Sequence, residues 1–190
     1  MAKVLYLMRH GETLFNKLNR IQGVCDSPLT EWGIHQAKVA KKYLQGIAFD
    51  HYYCSTSERS SDTLELVIGD QPYTRVKELK EFNFGVFEGQ SDYLEPKKIE
   101  DYDTFFIPYG GEGAKDMEKR VIDALTDIME KEDHETVLAI SHSGTSTYFL
   151  MHWEKEADKI LKDGIGNCTI LKYEYEDKKF KLLDIIRPEF

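Results

Sequence analysis

Three short apolar runs, each followed at once by polar residues, constrain the fold of this chain most strongly. Lys3 to Met8, the aromatic-rich "FDHYYCS" from Phe49 and "TVLAIS" from Thr136 all have strand length, and short apolar runs of this kind read as strands buried on both faces. Between them lie segments with helical spacing. Thr30 to Gly46 carries Ala37, Ala40, Leu44 and Ile47 on one face behind the turn "DSPL". "SERSSDTLELVIGD" offers Ser57 as a helix cap and Gly69 as a stop. Lys115 to Lys131 sets Met117, Val121, Leu125, Ile128 and Met129 on one stripe. A further helix is expected from about Thr145, and "CTILKYEYEDKKFKLLDIIRP" alternates apolar and polar residues about "EDKK", as an antiparallel hairpin does.

Strands alternating with helices predict an α/β fold, a three-layer sandwich with a mostly parallel central sheet and helices on both faces. Residues 73–89 read as extended and turn-rich. Residues 90–113 have no clean period and read as a short lid insert over the sheet. With 190 residues, 41% of them apolar, the expectation is a single domain over residues 1–190 that includes this lid.

The 34 acidic residues outnumber the 25 basic ones, for a net charge of −9, which argues against nucleic acid or anionic membranes as partners. Cys25, Cys54 and Cys168 are odd in number and widely spaced, so neither a disulfide framework nor a zinc knuckle is expected, and a reducing cytoplasm fits. The apolar stretch near the start is shorter than the core of a signal peptide, and no run reaches membrane-spanning length.

Parallel sheets present ligands at the carboxyl ends of their strands. The three runs end in "LMRHGE", "YYCSTSERS" and "LAISHSG", which brings Arg9, His10, Arg59 and His142 to one sheet edge. In an acidic chain such a gathering predicts an anion pocket, with phosphate the best match to the arginine fork. The start of the helix after Ser57 adds backbone N–H groups. A neutral histidine can attack phosphorus and form a covalent intermediate, while a second histidine, kept protonated by the phosphate, would stabilise its oxygens.

The ordered series "LMRHGET" with Asn16, "RIQGVCDSPLTEWG", "CSTSERSSDT", "LKEFNFGVFEG", "GGEG", "SHSGT" and "GNC" resembles the histidine phosphatase superfamily, the phosphoglycerate mutase-like enzymes. The resemblance implies that His10 is the phosphorylated nucleophile and that Arg9, Arg59 and His142 build the phosphate pocket. It further implies that Asn16, Gln22, Gly23 and Ser143 contact substrate, and that neither metal nor cofactor is required. The proton donor to the leaving oxygen is by resemblance Glu81, expected with a raised pKa beside the phosphate; Glu88 and Glu12 are its rivals. Two departures from the family pattern are Ser143 directly after His142 and Gly113 in "GGEG".

Other signals point elsewhere and are weaker. "CSTSER" has four residues between Cys54 and Arg59, one too few for a cysteine-phosphatase loop, so Cys54 reads as a packing thiol. "SHSGT" lacks the flanking glycines of a hydrolase elbow, which argues against Ser143 as a nucleophile. His35, His51, His134 and His152 have no partner motif and read as ordinary surface or packing residues.

The substrate is expected to be a small phosphomonoester. Between Gly89 and Glu112 only Lys97 and Lys98 are cationic, against the five carboxylates of Asp92, Glu95, Glu100, Asp101 and Asp103, while Tyr93, Tyr102, Phe105, Phe106 and Tyr109 suggest an aromatic mouth for an uncharged or apolar body. A phosphomonoester hydrolase is therefore the leading expectation. Phosphoglycerate mutase is the alternative with the same chemistry, and a non-catalytic phosphate-binding module the alternative without it.

Overall fold

The structure, a computed structural model, describes residues 2–190. Its elements are β1 (Lys3–Arg9), the single-turn α1 (Leu14–Lys17), α2 (Glu31–Tyr43), β2 (His51–Ser55), α3 (Glu58–Ile68), β3 (Thr74–Val76), α4 (Ala114–Met129), β4 (Thr136–Ser141), α5 (Ser143–Trp153), the short α6 (Ala157–Ile160), β5 (Ile170–Glu176) and β6 (Lys179–Ile186). They form one six-stranded sheet in the order β3-β2-β4-β1-β5-β6. The first four strands in that order run parallel, β5 runs against β1, and β6 returns against β5.

Alternation along the strands sorts the core into two layers, because successive side chains leave opposite faces of a sheet. Leu5, Leu7, Tyr53, Val137 and Ala139 pack on one face with Met117, Val121 and Leu125 of α4 and Phe149 of α5. Tyr6, Met8, Cys54, Leu138 and Ile140 pack on the other with Ala37 and Ala40 of α2 and Leu64 and Val67 of α3. The mostly parallel sandwich with its antiparallel C-terminal hairpin is thus as the sequence predicts. Among the described residues no helix is long and apolar enough to cross a membrane, and all three cysteines are free thiols.

Local differences from the sequence reading have simple causes. Ser57 does occupy the position before α3, but its hydroxyl makes no capping bond. α5 begins at Ser143 rather than Thr145, because the Thr145 hydroxyl accepts the His142 N–H at 3.1 Å and starts the helix early. β3 is an edge strand of three residues inside the stretch read as extended. Residues 77–113 hold five short 3-10 turns and no longer element.

Candidate active site

The ends of β1 and β4 are tied together, and this sets the two motif histidines side by side. Arg9 pairs with Ser141 across the sheet, and the next residue, His10, donates its backbone N–H to the Ser141 carbonyl at 3.1 Å. The imidazoles of His10 and His142 then lie edge to face with centroids 5.2 Å apart. Gly11 follows because the chain turns hard against α2: a β-carbon there would stand 2.6 Å from the Gly33 carbonyl oxygen.

His10 is buried, and its Nδ1 lies 2.7 Å from the Gly11 carbonyl oxygen. A carbonyl can only accept, so Nδ1 carries the proton and Nε2 keeps its lone pair. That lone pair accepts a bond from Arg59 Nε at 3.2 Å. Arg59, fully buried at the first turn of α3, spends its other donors on the carbonyls of Cys25 and Gly23, both at 2.8 Å, and on Asp26 at 3.0 Å. His142 Nε2 is 2.8 Å from the Ser55 hydroxyl. Burial, then Arg59, then further neighbouring positive or polar groups including Arg9, push the pKa of both His10 and His142 well below the ordinary histidine value. Both rings are therefore neutral at pH 7.

A cavity of about 590 Å³ opens over this cluster, lined at its base by Arg9, His10, Asn16, Gln22, Glu81 and Ser143. Arg59 and His142 are fully buried and stand behind His10. Several buried polar atoms here have no partner: Arg9 Nε, Gln22 Nε2, Ser57 Oγ and His142 Nδ1. Orphaned buried donors are rare in folded proteins, and three of these four belong to residues that the sequence assigns to phosphate or substrate.

Geometry separates the candidate carboxylates. Glu81 lines the cavity; its oxygens accept from the backbone N–H groups of Phe82 at 2.9 Å, Gly144 at 2.8 Å and Thr145 at 3.1 Å, which fixes it at the start of α5. Glu88 instead accepts four backbone N–H groups, those of Gly23, Val24, Cys25 and Phe84, and so locks the 21–25 loop. Glu12 accepts the Thr30 hydroxyl at 2.7 Å, and neither Glu12 nor Glu88 lines the cavity.

The residues expected to touch substrate divide in the same way. Asn16 Oδ1 accepts from the Thr13 N–H at 3.1 Å, and Gln22 Oε1 from the Thr13 hydroxyl at 3.1 Å, which leaves the Gln22 amide nitrogen free. The Ser143 hydroxyl reaches the Ile165 carbonyl at 3.3 Å. Gly23 is turned inward: its N–H serves Glu88, its carbonyl serves Arg59, and it does not line the cavity. A β-carbon at Gly23 would lie 1.9 Å from the Phe82 carbonyl oxygen, so the glycine there is a packing requirement.

The cavity is aromatic, but mostly through rings other than those expected, since Phe15, Phe82, Phe84 and Tyr148 line it. Of Tyr93, Tyr102, Phe105, Phe106 and Tyr109, only Tyr102 lines the cavity. Phe106 is fully buried and meets Phe84, Phe87, Phe105 and Tyr102 mainly edge to face at 4.9–5.6 Å. A segment built only of short turns needs such a small core of its own, and its rings supply it. The wall also carries charge, with Arg20, Lys97 and Lys98 beside Asp92 and Glu95. Glu95 accepts the Tyr102 hydroxyl at 2.7 Å, and burial raises its pKa.

Comparison with known proteins agrees with the geometry. Residues 5–186 match the model of the histidine phosphatase superfamily, branch 1. The adenosylcobalamin/alpha-ribazole phosphatase of Escherichia coli is 34% identical, over 74% of this chain and 73% of its own length. A protein of Yersinia pestis named "Probable phosphoglycerate mutase GpmB" is 30% identical, over 91% of this chain and 85% of its own. Among solved structures, Bacillus stearothermophilus YhfR superposes with a TM-score of 0.82 at 28% identity, covering 94% of each chain. Phosphoserine phosphatase of Entamoeba histolytica, solved with 3-phosphoglyceric acid, gives 0.80 at 25% identity, covering 98% of each. The chain with His10 and His142 at adjoining strand ends belongs to the histidine phosphatase superfamily.

Proposed function

We propose that this protein is a phosphomonoester hydrolase that works through a phosphohistidine at His10. The observation that carries the reading is the fixed tautomer of His10: the Gly11 carbonyl holds the proton on Nδ1, so Nε2 is the nucleophile, in contact with Arg59. In the first step Nε2 forms a bond to phosphorus, the bond from phosphorus to the ester oxygen breaks, and Glu81 gives that oxygen its proton. Arg9, on the cavity wall, meets the equatorial oxygens, and Arg59 joins it when its Nε leaves the His10 lone pair for the phosphate, which frees that lone pair to attack. The charge of the bound phosphate raises the proton affinity of the buried His142, whose positive charge then steadies the phosphate from behind His10. In the second step a water, deprotonated by Glu81, attacks phosphorus and releases His10. Neither step calls on a metal.

A hydrolase fits the outer wall better than a mutase does. Three cations against two carboxylates leave a net charge of about +1 there, little for the second phosphate and carboxylate of a bisphosphoglycerate. Arg20, Lys97 and Lys98 are nevertheless the feature that favours the mutase reading. The body of the substrate meets both rings and charged side chains, since Phe15, Phe82, Phe84, Tyr102 and Tyr148 line the same cavity as Arg20, Lys97 and Lys98. The test is release of phosphate from aryl and polar alkyl monoesters in the presence of a chelator. Turnover of 3-phosphoglycerate that requires 2,3-bisphosphoglycerate, with no phosphate release, would favour the mutase. Tight vanadate binding without turnover of any monoester would favour a non-catalytic module.

A further inference from the structure

The end of the sheet opposite the active site holds a second cluster of ligating side chains. β2 starts at His51, and the turn before β4 carries Asp133 and His134. His51 Nε2 lies 3.0 Å from one Asp133 oxygen, and His134 Nδ1 lies 2.8 Å from the other. The two imidazoles stack with centroids 3.7 Å apart and planes 14° from parallel. This stacking aims a nitrogen of each ring at the same carboxylate.

The two nitrogens and the carboxylate oxygen all lie within 4.8 Å of one another. Ligands of one tetrahedral zinc ion, each about 2.0–2.2 Å from it, stand roughly 3.3 Å apart with the ion in the plane of each imidazole, so the half-buried His51 ring must swing out of the stack to close the three on an ion. His134 also has the support that ligating imidazoles need. Its other nitrogen, Nε2, is 2.7 Å from the Tyr53 hydroxyl, which accepts from Lys131 Nζ at 2.9 Å. An imidazole bound through Nδ1 carries its proton on Nε2, and the Tyr53 oxygen is placed to receive it.

The backbone beneath the cluster is braced independently. The Asp50 carboxylate accepts the N–H groups of Glu135 at 2.9 Å and Thr136 at 2.6 Å, tying the start of β4 to the start of β2. His134 is buried, His51 is half-buried and Asp133 is exposed, which leaves room for water to complete a coordination shell.

We propose that His51, Asp133 and His134 form a binding site for one first-row divalent transition ion, of the zinc class, that staples the start of β2 to the turn before β4. Two imidazoles and one carboxylate suit zinc, copper or nickel rather than magnesium or calcium. The site is separate from the phosphate pocket, since β2 and β4 run in parallel on the order of 15 Å toward Ser55 and His142. Its effect is to stiffen the two strands whose far ends carry the active-site groups.

The test is titration of the chelator-treated full chain with zinc chloride alone, followed by calorimetry, together with the visible spectrum of the cobalt-substituted protein. One ion per chain is expected, with a tetrahedral cobalt band and a melting temperature raised by about 5–10 °C when free zinc exceeds Kd a hundredfold. His51→Ala and Asp133→Asn should each weaken binding at least about tenfold, and cooperative melting in chelator checks that both fold. His10→Asn should bind the ion as the parent does. Absence of a saturable site would overturn the proposal, as would binding that survives His51→Ala and disappears in His10→Asn.

Discussion

Arg59 Nε donates to His10 Nε2 across 3.2 Å, while the rest of the same guanidinium is held by Cys25, Gly23 and Asp26. One side chain therefore sets the distance between the start of α3, the 21–25 loop and the end of β1. A planar fork with five donors can serve these four partners, and an ammonium cannot. Arg59→Ala should lower kcat/KM by about 10²–10³-fold and stability by about 3 kcal/mol. Arg59→Lys should recover little of either. Steady-state kinetics and denaturant unfolding check both numbers.

The neutral histidines predict how stability depends on pH. The folded-state pKa of His10 and of His142 lies well below the ordinary value, so on acidification the unfolded chain takes up protons that the folded chain refuses. Stability is unaffected by these groups above about pH 6.5 and falls as pH drops below it, by about 1.4 kcal/mol per pH unit for each histidine. Buried His134 acts in the same direction. Unfolding curves between pH 7.5 and pH 5 should steepen accordingly, and His142→Asn should remove one histidine's share of the slope. Phosphate or vanadate should oppose the loss, because the bound anion makes protonation of His142 favourable.

Glu81 faces the cavity while its rivals are tied into loops, so the leaving-group proton is assigned to it. General acid help matters most for a poor leaving group. Glu81→Gln should slow hydrolysis of alkyl monoesters by about 10²–10⁴-fold, and hydrolysis of 4-nitrophenyl phosphate far less. Equal losses on both substrates would move Glu81 from acid to mere positioning. Glu88→Gln should instead lower stability and affect both substrates alike, since its four N–H partners hold the 21–25 loop.

Gly23 offers a purely steric test. Any β-carbon there meets the Phe82 backbone oxygen at 1.9 Å and the Glu88 carboxylate, itself held by four backbone N–H groups, at 2.5 Å. Gly23→Ala should cost about 2 kcal/mol and lower the melting temperature by about 4–8 °C. Calorimetry on the purified variant measures the shift.

The sheet was legible because its central strands are buried on both faces and so appear as uninterrupted apolar runs, each ending in a motif. β3 was not, since Thr74 and Arg75 are exposed and a three-residue edge strand leaves no apolar signature. Arg9, His10, Arg59 and His142 could be brought together from sequence because each follows or ends a parallel strand. The lid aromatics misled because composition cannot tell a ring that lines a cavity from one that fills a small core. His51 and His134 looked ordinary because Asp133 meets a histidine 82 positions away, and no local spacing encodes a contact made by strand pairing.

The most direct measurement is identification of the phosphorylated residue. Mixing the protein with an aryl phosphate, quenching within the first turnover and mapping the labelled peptide should find a phosphoryl group on His10, stable in base and lost in acid, and none in His10→Ala. A phosphoryl group on Ser143 or Cys54, or undiminished turnover by His10→Ala, would contradict the account.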